Sequence, residues 1–347
     1  MKILVNTPSL KLLGGVANHY EGLRAFWSEN VRYNTVGKRS KISGSGKYWL
    51  PWDLTKFLFC LIFFRPNVVL LNPSLGKGAL TRDFFYLKIN RLFQKKTVMF
   101  IHGFSLEYAL EADWKWIKGN LNQTNGIIVL AQSFKDELIH RGITAPIFLS
   151  TTKVLDTLID DYDITQRIGE INNILFLSRI EKAKGIYETV DTFALLKHQY
   201  PDLTLTFVGD GSELTTLKEY VSNKKLQDVR FTGELRGEKL INEYKNADIF
   251  FFPSYGEGMP TVVLEAMAFG LPIITRKVGG LCDFFEDGKM GKITDSMNAS
   301  DYAEMIKPFI ENKSLTKKVS LYNHQYAKEH FMASIVAKNI ENILRLL

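Results

Sequence analysis

The chain has 347 residues, 46% of them apolar and 23% charged, with a formal net charge of +7 at pH 7. That balance suits folded domains with real cores, about two by length, and excludes a disordered, coiled-coil or collagen-like chain. Its two cysteines, Cys60 and Cys282, lie far apart in sequence, which excludes a disulfide-stapled secreted scaffold and makes a reducing compartment the expectation.

Residues 2–5 read as a strand, and no apolar leader core or small-residue cleavage site precedes them. The most apolar run, residues 57–64, stops at Arg65-Pro66. A membrane-crossing helix needs about 20 such residues, so no crossing is expected. Residues 68–72, 97–102 and 126–130 read as further buried strands by length, β-branched content and flanking turns. Helical patterns follow Gly15, Thr81, Leu106 and Ser133. After an acidic stretch at 156–170, a second series of strands is expected at 173–178, 203–209, 229–232, 249–253 and 272–275. A last helix over 334–347 comes after that sheet is complete. Strand and helix alternation of this kind predicts parallel, doubly wound sheets. The expected organisation is a first α/β domain over 1–155 and a second over 172–330, with a cleft between them.

Charge is unevenly divided. Residues 1–105 hold 16 Lys and Arg against 4 Asp and Glu, a balance of +12, while the remainder holds 28 against 33. A basic first half fits an anionic partner: a membrane surface, a phosphorylated substrate or nucleic acid. A solvated basic surface without a partner is the plain alternative.

Strand C-terminal ends face the ligand crevice in such sheets, so the loops that follow strands carry the chemistry. Gly14-Gly15 stands before the first helix, where phosphate can approach backbone N–H groups; a plain turn explains the pair equally well. Arg179 ends one strand and Lys184 follows five residues on, before Gly185. A bidentate guanidinium and a point-charge ammonium suit a diphosphate. The turn at Gly209 offers backbone contacts or is simply tight. The segment from Phe251 to Met267 runs from a strand into a loop holding Glu257, Gly258 and Met259. Pro260 is expected at the first helical position. The N–H groups of Met259, Thr261 and Val262 then suit an anionic oxygen. Glu257 and Glu265 suit sugar hydroxyls, since carboxylates accept hydroxyl hydrogen bonds well; compensation of the helix dipole is the alternative.

Together these segments resemble the retaining glycosyltransferases of family four, the group one transferases. The resemblance rests on Arg179 with Lys184, Val208-Gly-Asp-Gly, Phe231-Thr-Gly-Glu-Leu, the Glu257-to-Glu265 spacing, Gly270-Leu-Pro-Ile-Ile and Val278-Gly-Gly. It is dense over 173–294 and thin in the first half, where Gly14-Gly15 and Ile101-His102-Gly103 carry it. It implies the GT-B fold, two Rossmann-like domains facing a central cleft, with the last helix crossing back to the first. It implies that Arg179 and Lys184 hold the donor diphosphate, with Gly15 approaching it. Glu257 with the backbone of Gly258, Met259 and Pro260 would position the donor sugar. Glu265 would accept from the ribose, His102 would lie near the transferred sugar, and the base would meet backbone near Gly209 and Leu235. Two departures stand out: Ser150-Thr-Thr-Lys-Val replaces the usual hinge turn, and Asp283 stands where a Glu is usual.

Electrostatic stabilisation of a departing nucleoside diphosphate by Arg179, Lys184 and helix N-termini calls for no metal. Asp161 and Asp163 read as a solvated charge run, so no cofactor is expected beyond the nucleotide-sugar co-substrate, with UDP the expected nucleotide. A helical projection over 82–96 puts Phe85, Ile89, Leu92 and Phe93 on one face and Lys88, Arg91 and Lys95 in an adjacent stripe. Upstream, Lys47-Tyr48-Trp49-Leu50-Pro51-Trp52 precedes the 57–64 run. Basic amphipathic helices with interfacial Trp favour anionic membranes. The stripe therefore suits lipid or acceptor phosphate, and the 57–64 run packs on the first sheet or meets the membrane. The reading is a cytoplasmic enzyme at the inner membrane face, with a saccharide acceptor, lipid-linked, in cell-surface polysaccharide synthesis of bacterial type. An epimerase or hydrolase of the same fold remains an alternative, as does a nucleic-acid-binding protein, although no nucleic-acid module is recognisable.

Overall fold

A computed structural model describes residues 1–11, 14–37, 49–103, 106–167 and 171–347; Lys47, Tyr48 and the last residues of the acidic stretch lie outside them. The chain divides into two compact units, one of Met1–Lys153 with Ala333–Leu347 and one of Val154–Met332. Each holds one six-stranded parallel sheet.

In the first unit the strands are β1 (Lys2–Thr7), β2 (Asn30–Thr35), β3 (Val68–Leu71), β4 (Lys96–Ile101), β5 (Gly126–Val129) and β6 (Ile147–Leu149), in the order β2-β1-β3-β4-β5-β6. The interior strands β3 and β5 are wholly buried, which is why they read as unbroken apolar runs. β2 and β6 were not foreseen. Both are edges: β2 is Asn-Val-Arg-Tyr-Asn-Thr with alternating burial, and β6 has three residues.

One face of this sheet is covered by the helix Leu50–Phe59 with its π-helical continuation Cys60–Phe64, and by the helices Lys77–Leu92, Trp114–Leu121 and Gln132–His140. Their inward residues Phe57, Leu61, Phe84, Leu87, Ile117 and Leu138 share a core with Leu4, Val69, Met99 and Ile127 of the strands. Alternate strand residues Ile3, Val5, Leu70, Val98 and Ile128 are buried on the opposite face, as the two-residue period requires. The helices Gly15–Leu23 and Ala333–Leu346 pair with each other. The returning helix is anchored through Glu341, whose carboxylate accepts from Ser28 N at 2.7 Å and Glu29 N at 2.9 Å. Arg345 reaches Glu29 at 2.7 Å.

The projected face of the 82–96 segment is corrected. The helix runs Lys77–Leu92 and buries Leu80, Phe84, Tyr86 and Leu87, while Phe85 is 46% and Leu92 82% exposed. Starting five residues earlier, the i, i+4, i+7 series Leu80-Phe84-Leu87 sets the inward face. Two paired polar residues lie on it as well: Asp83, salt-bridged to Arg82 at 2.6 Å, and Asn90, which donates to Thr97 Oγ1 at 3.2 Å. Lys95 lies beyond the helix end, past Gln94 at φ 53°.

The second unit has β7 (Asn173–Leu177), β8 (Thr204–Val208), β9 (Val229–Phe231), β10 (Ile249–Phe252), β11 (Ile273–Arg276) and β12 (Gly291–Thr294), ordered β12-β11-β10-β7-β8-β9. Again the strand not foreseen, β12, is a short edge. The order reverses between β7 and β10. In such a sheet, ligands bind outside the carboxyl ends of the two strands flanking that reversal, so the loops after Leu177 and Phe252 form the second unit's crevice.

Candidate active site

Those two loops are bonded to each other. Tyr255 N donates to Ala183 O at 2.9 Å, and Lys184 Nζ donates to Glu257 Oε1 at 2.6 Å. Ser254 Oγ donates to the same Oε1 at 2.8 Å. Lys184 and Glu257 are largely buried, so the pair acts in a medium where charge is felt more strongly than in water. Both bonds fall on Oε1, which turns Oε2 toward further donors such as sugar hydroxyls. Lys184 keeps two of its three N–H groups for phosphate-type acceptors. Tyr255 donates to Glu188; burial, then the Glu188 charge, pushes its phenol up to about 12, so it stays a protonated donor.

Two glycines make the loops possible. At Gly209, φ is +142° and a Cβ would stand 1.8 Å from Ser178 O. The turn after β8 therefore presses on the residue before Arg179. At Gly279, φ is +49° and a Cβ would stand 2.1 Å from Gly258 O, while Gly280 N donates to that oxygen at 2.8 Å. The Glu257-Gly258 backbone is thus held from behind by the Val278-Gly-Gly segment.

The helix Thr261–Ala268 starts one residue later than expected: Pro260 is its N-cap, at φ −75° and ψ 102°, and not its first residue. No side chain caps the start, so the N–H groups of Thr261 and Val262 face outward at the positive end of the dipole. Gly258 and Met259 are half-buried beside it and Pro260 is buried. One turn in, Glu265 Oε2 accepts from Tyr244 Oη at 2.8 Å. Burial, then the Glu265 charge, raises Tyr244 well above the usual phenol range, so this tyrosine orients the carboxylate as a donor. Arg179 is not drawn into the Lys184–Glu257 pair: its guanidinium is 70% exposed and bonds Glu181 at 2.7 Å. Leu235 lines a separate hollow of about 320 Å³ with Phe231, Thr232 and Lys239. Asp163 caps the turn at Thr165 N, 2.9 Å away.

In the first unit, His102 follows β4. Asn72, which follows β3, fixes its tautomer. The Asn72 amide donates to Asn6 O at 2.8 Å and Leu70 O at 3.3 Å, so its Oδ1 faces His102 Nε2 at 3.0 Å and the Tyr20 hydroxyl at 2.5 Å. Nε2 therefore carries the proton and Nδ1 is the ring's acceptor. Burial pushes His102 down to about 3. His19 stands 5.2 Å away, ring to ring, and is lowered well below the usual range by burial, His102 and Lys153. Gly15 opens the helix Gly15–Leu23 with open space at its Cβ position. Lys88 and Arg91 are exposed, Arg91 donating to Gln123, and Lys95 is half-buried. Among the described residues no three His, Cys, Asp or Glu side chains gather as metal ligands.

Sequence reasoning missed Ser254, Tyr244, Asn72 and His19. His19, four residues beyond Gly15, Ser254, three before Glu257, and Asn72, at the end of the 68–72 run, each stood in a segment that follows or ends a strand, and Tyr244 carried no such local signal.

Residues 162–326 match the family model of the group 1 glycosyl transferases. The match takes in most of the second unit and just under half of the chain. Over 145 residues it is 32% identical to a D-inositol 3-phosphate glycosyltransferase of Arthrobacter sp. (strain FB24), covering 40% of this chain and 34% of that protein. The chain spans about a third of the length of the curated relatives it matches first. Sucrose-phosphate synthase from Thermosynechococcus elongatus superposes with a TM-score of 0.77 at 18% identity, covering 99% of this chain and 98% of that one. Anabaena HepE in complex with UDP-glucose gives 0.72 at 17% identity, over all of both chains. These likenesses are of fold, and the two-sheet α/β architecture is GT-B.

Proposed function

We propose that the protein is a retaining glycosyltransferase that moves a sugar from a nucleoside-diphosphate sugar to a saccharide hydroxyl. The observation that carries this is the Lys184–Glu257 pair at the β7/β10 reversal, beside the uncapped helix start at Thr261. In this reading Lys184 and the Thr261 and Val262 N–H groups hold the diphosphate and stabilise its charge as the glycosidic bond breaks. Glu257 Oε2 accepts from the sugar's hydroxyls and orients it, and Glu265 accepts from the ribose. Arg179, exposed and tied to Glu181, turns to the phosphate when the donor binds. His102, neutral and with Nδ1 as its acceptor, suits a sugar hydroxyl. The leaving phosphate takes the acceptor's proton on the same face, which accounts for retention, and the chemistry draws on no metal. A UDP-sugar is the donor favoured, in keeping with the UDP-glucose of the HepE structure. The basic first unit favours a lipid-linked acceptor at the inner membrane face, in surface polysaccharide synthesis.

Thermal stabilisation across a panel of nucleotide sugars and free nucleotides tests the donor site. One nucleotide sugar should stabilise the protein beyond its bare nucleotide, by about 2.7 kcal/mol at a hundred times its dissociation constant. That excess should vanish in Glu257→Ala. No stabilisation by any member, with or without magnesium, refutes the reading. Sugar release that proceeds equally without acceptor would make the protein a hydrolase instead.

A further inference from the structure

The 57–64 run does not simply pack on the sheet. The helical stretch 50–64 turns Phe57, Cys60, Leu61 and Phe64 inward, and the other half of the same sequence faces out. Trp52 is 52%, Phe59 55% and Phe63 65% exposed, with Leu58 and Ile62 exposed beside them. Five large apolar side chains on one outer face exceed what a monomer's surface ordinarily scatters. Lys56 shares that face, its Nζ 5.3 Å from the Trp52 ring centroid.

The neighbouring helix Lys77–Leu92 lies on the same side of the sheet. Both connections, β2 to β3 and β3 to β4, step across the sheet in one direction, so right-handed crossovers put both helices on one face. The Phe57 and Tyr86 rings meet at 4.7 Å. The outer face of this second helix carries Phe85, Lys88, Arg91 and Leu92, all exposed.

Charge decides what such a surface suits. Residues 30–105 contain 13 Lys and Arg but only two carboxylates, Asp53 and Asp83. Both carboxylates are buried: Asp53 accepts from Gly37 N at 2.8 Å, and Asp83 pairs with Arg82. The two outer faces therefore present aromatic and aliphatic side chains with cations and no negative charge. We propose that this double-helix face docks the protein on an anionic phospholipid bilayer. The 50–64 stretch lies flat, for about 22 Å at the helical rise, with Trp52, Phe59, Ile62 and Phe63 at the headgroup and acyl boundary. Lys56, Lys88 and Arg91 meet lipid phosphates. Interfacial helices combine these same features, a Trp- and Phe-bearing face with Lys and Arg alongside, and are too short or too polar to span. The surface gives the lipid-linked acceptor its meeting place and rests on that reading for its purpose only.

Co-sedimentation of the full chain with vesicles tests it without nucleotide or sugar, so it fails or stands apart from the donor site. The protein should bind vesicles of equal parts phosphatidylglycerol and phosphatidylcholine, and bind pure phosphatidylcholine much less. The double variant Phe59→Ser with Phe63→Ser should bind the mixed vesicles about tenfold or more weakly. Lys88→Glu with Arg91→Glu should lose affinity on the mixed vesicles and not on the neutral ones. These side chains are exposed, so an unchanged melting temperature is expected in both variants. Failure of the wild type to bind, or undiminished binding by the serine variant, overturns the proposal. So does a dimer in sedimentation velocity that the serine variant dissolves, since the face would then belong to a second copy.

Discussion

A single amide sets the chemistry of His102. Because Asn72 spends its N–H groups on two backbone carbonyls, its oxygen accepts from the imidazole, and the ring is held as the neutral Nε2–H tautomer. Protonation would place a cation beside His19 in a buried setting, which is why both rings resist it. The folded pKa of His102, about 3, lies below the unfolded value near 6.5. Its contribution to stability is therefore complete above about pH 6.5 and is lost as pH falls from there toward 3. Urea midpoints between pH 7.5 and 4.5 should show wild type losing about 1 kcal/mol more per pH unit than His102→Gln. Parallel pH curves for the two proteins would show that His102 titrates normally. The neutral ring also implies that turnover carries no His102 titration between about pH 5 and 8.

At the scale of elements, the helix Lys77–Leu92 separates hydrophobicity from position. Phe84 and Phe85 are adjacent and chemically identical, yet one is buried and the other exposed. Phe84→Ala should cost about 3 kcal/mol or more in chemical denaturation, and Phe85→Ala under about 0.5. The reverse ranking would restore the face projected from sequence. That projection failed because it began at Arg82 and counted apolar residues only, whereas Asp83, paired with its neighbour Arg82, and Asn90, bonded to Thr97, enter the interior. Interior strands were legible, since cover on both faces demands a run such as Val68–Leu71. The unread strands, β2, β6 and β12, are edges whose polar or short sequences answer to one neighbour. The site divides along a similar line. Of the residues singled out in sequence, Lys184 and Glu257 are brought together because each lies in a loop that follows a strand end, whereas Arg179 points away to Glu181. The roles of Tyr244 and Asn72 were not legible, because what they do depends on partners 21 and 30 residues away, joined only by the fold.

For the whole molecule, the decisive feature is that the first unit is made of two pieces of chain. Glu341 ties the second piece to the first by accepting from Ser28 and Glu29. Glu341→Ala removes the acceptor of those part-buried N–H groups, at a cost of about 1 kcal/mol. All five tryptophans, Trp27, Trp49, Trp52, Trp114 and Trp116, belong to this unit. The loss should therefore appear in unfolding followed by tryptophan emission. Nucleotide-sugar stabilisation, which on the proposed function reads the second unit, should be unchanged. An unaltered emission midpoint would mean that the returning helix contributes nothing to the first unit.

The same division orders events during synthesis. The ribosome delivers the second unit without interruption, so that lobe can close while the first still waits for Ala333–Leu346. Until that helix leaves the exit tunnel, the apolar surface that it covers on the first unit stays open to chaperones. A chain cut before Ala333 would carry a finished second unit fused to an unsealed first one, a species for quality control rather than for catalysis.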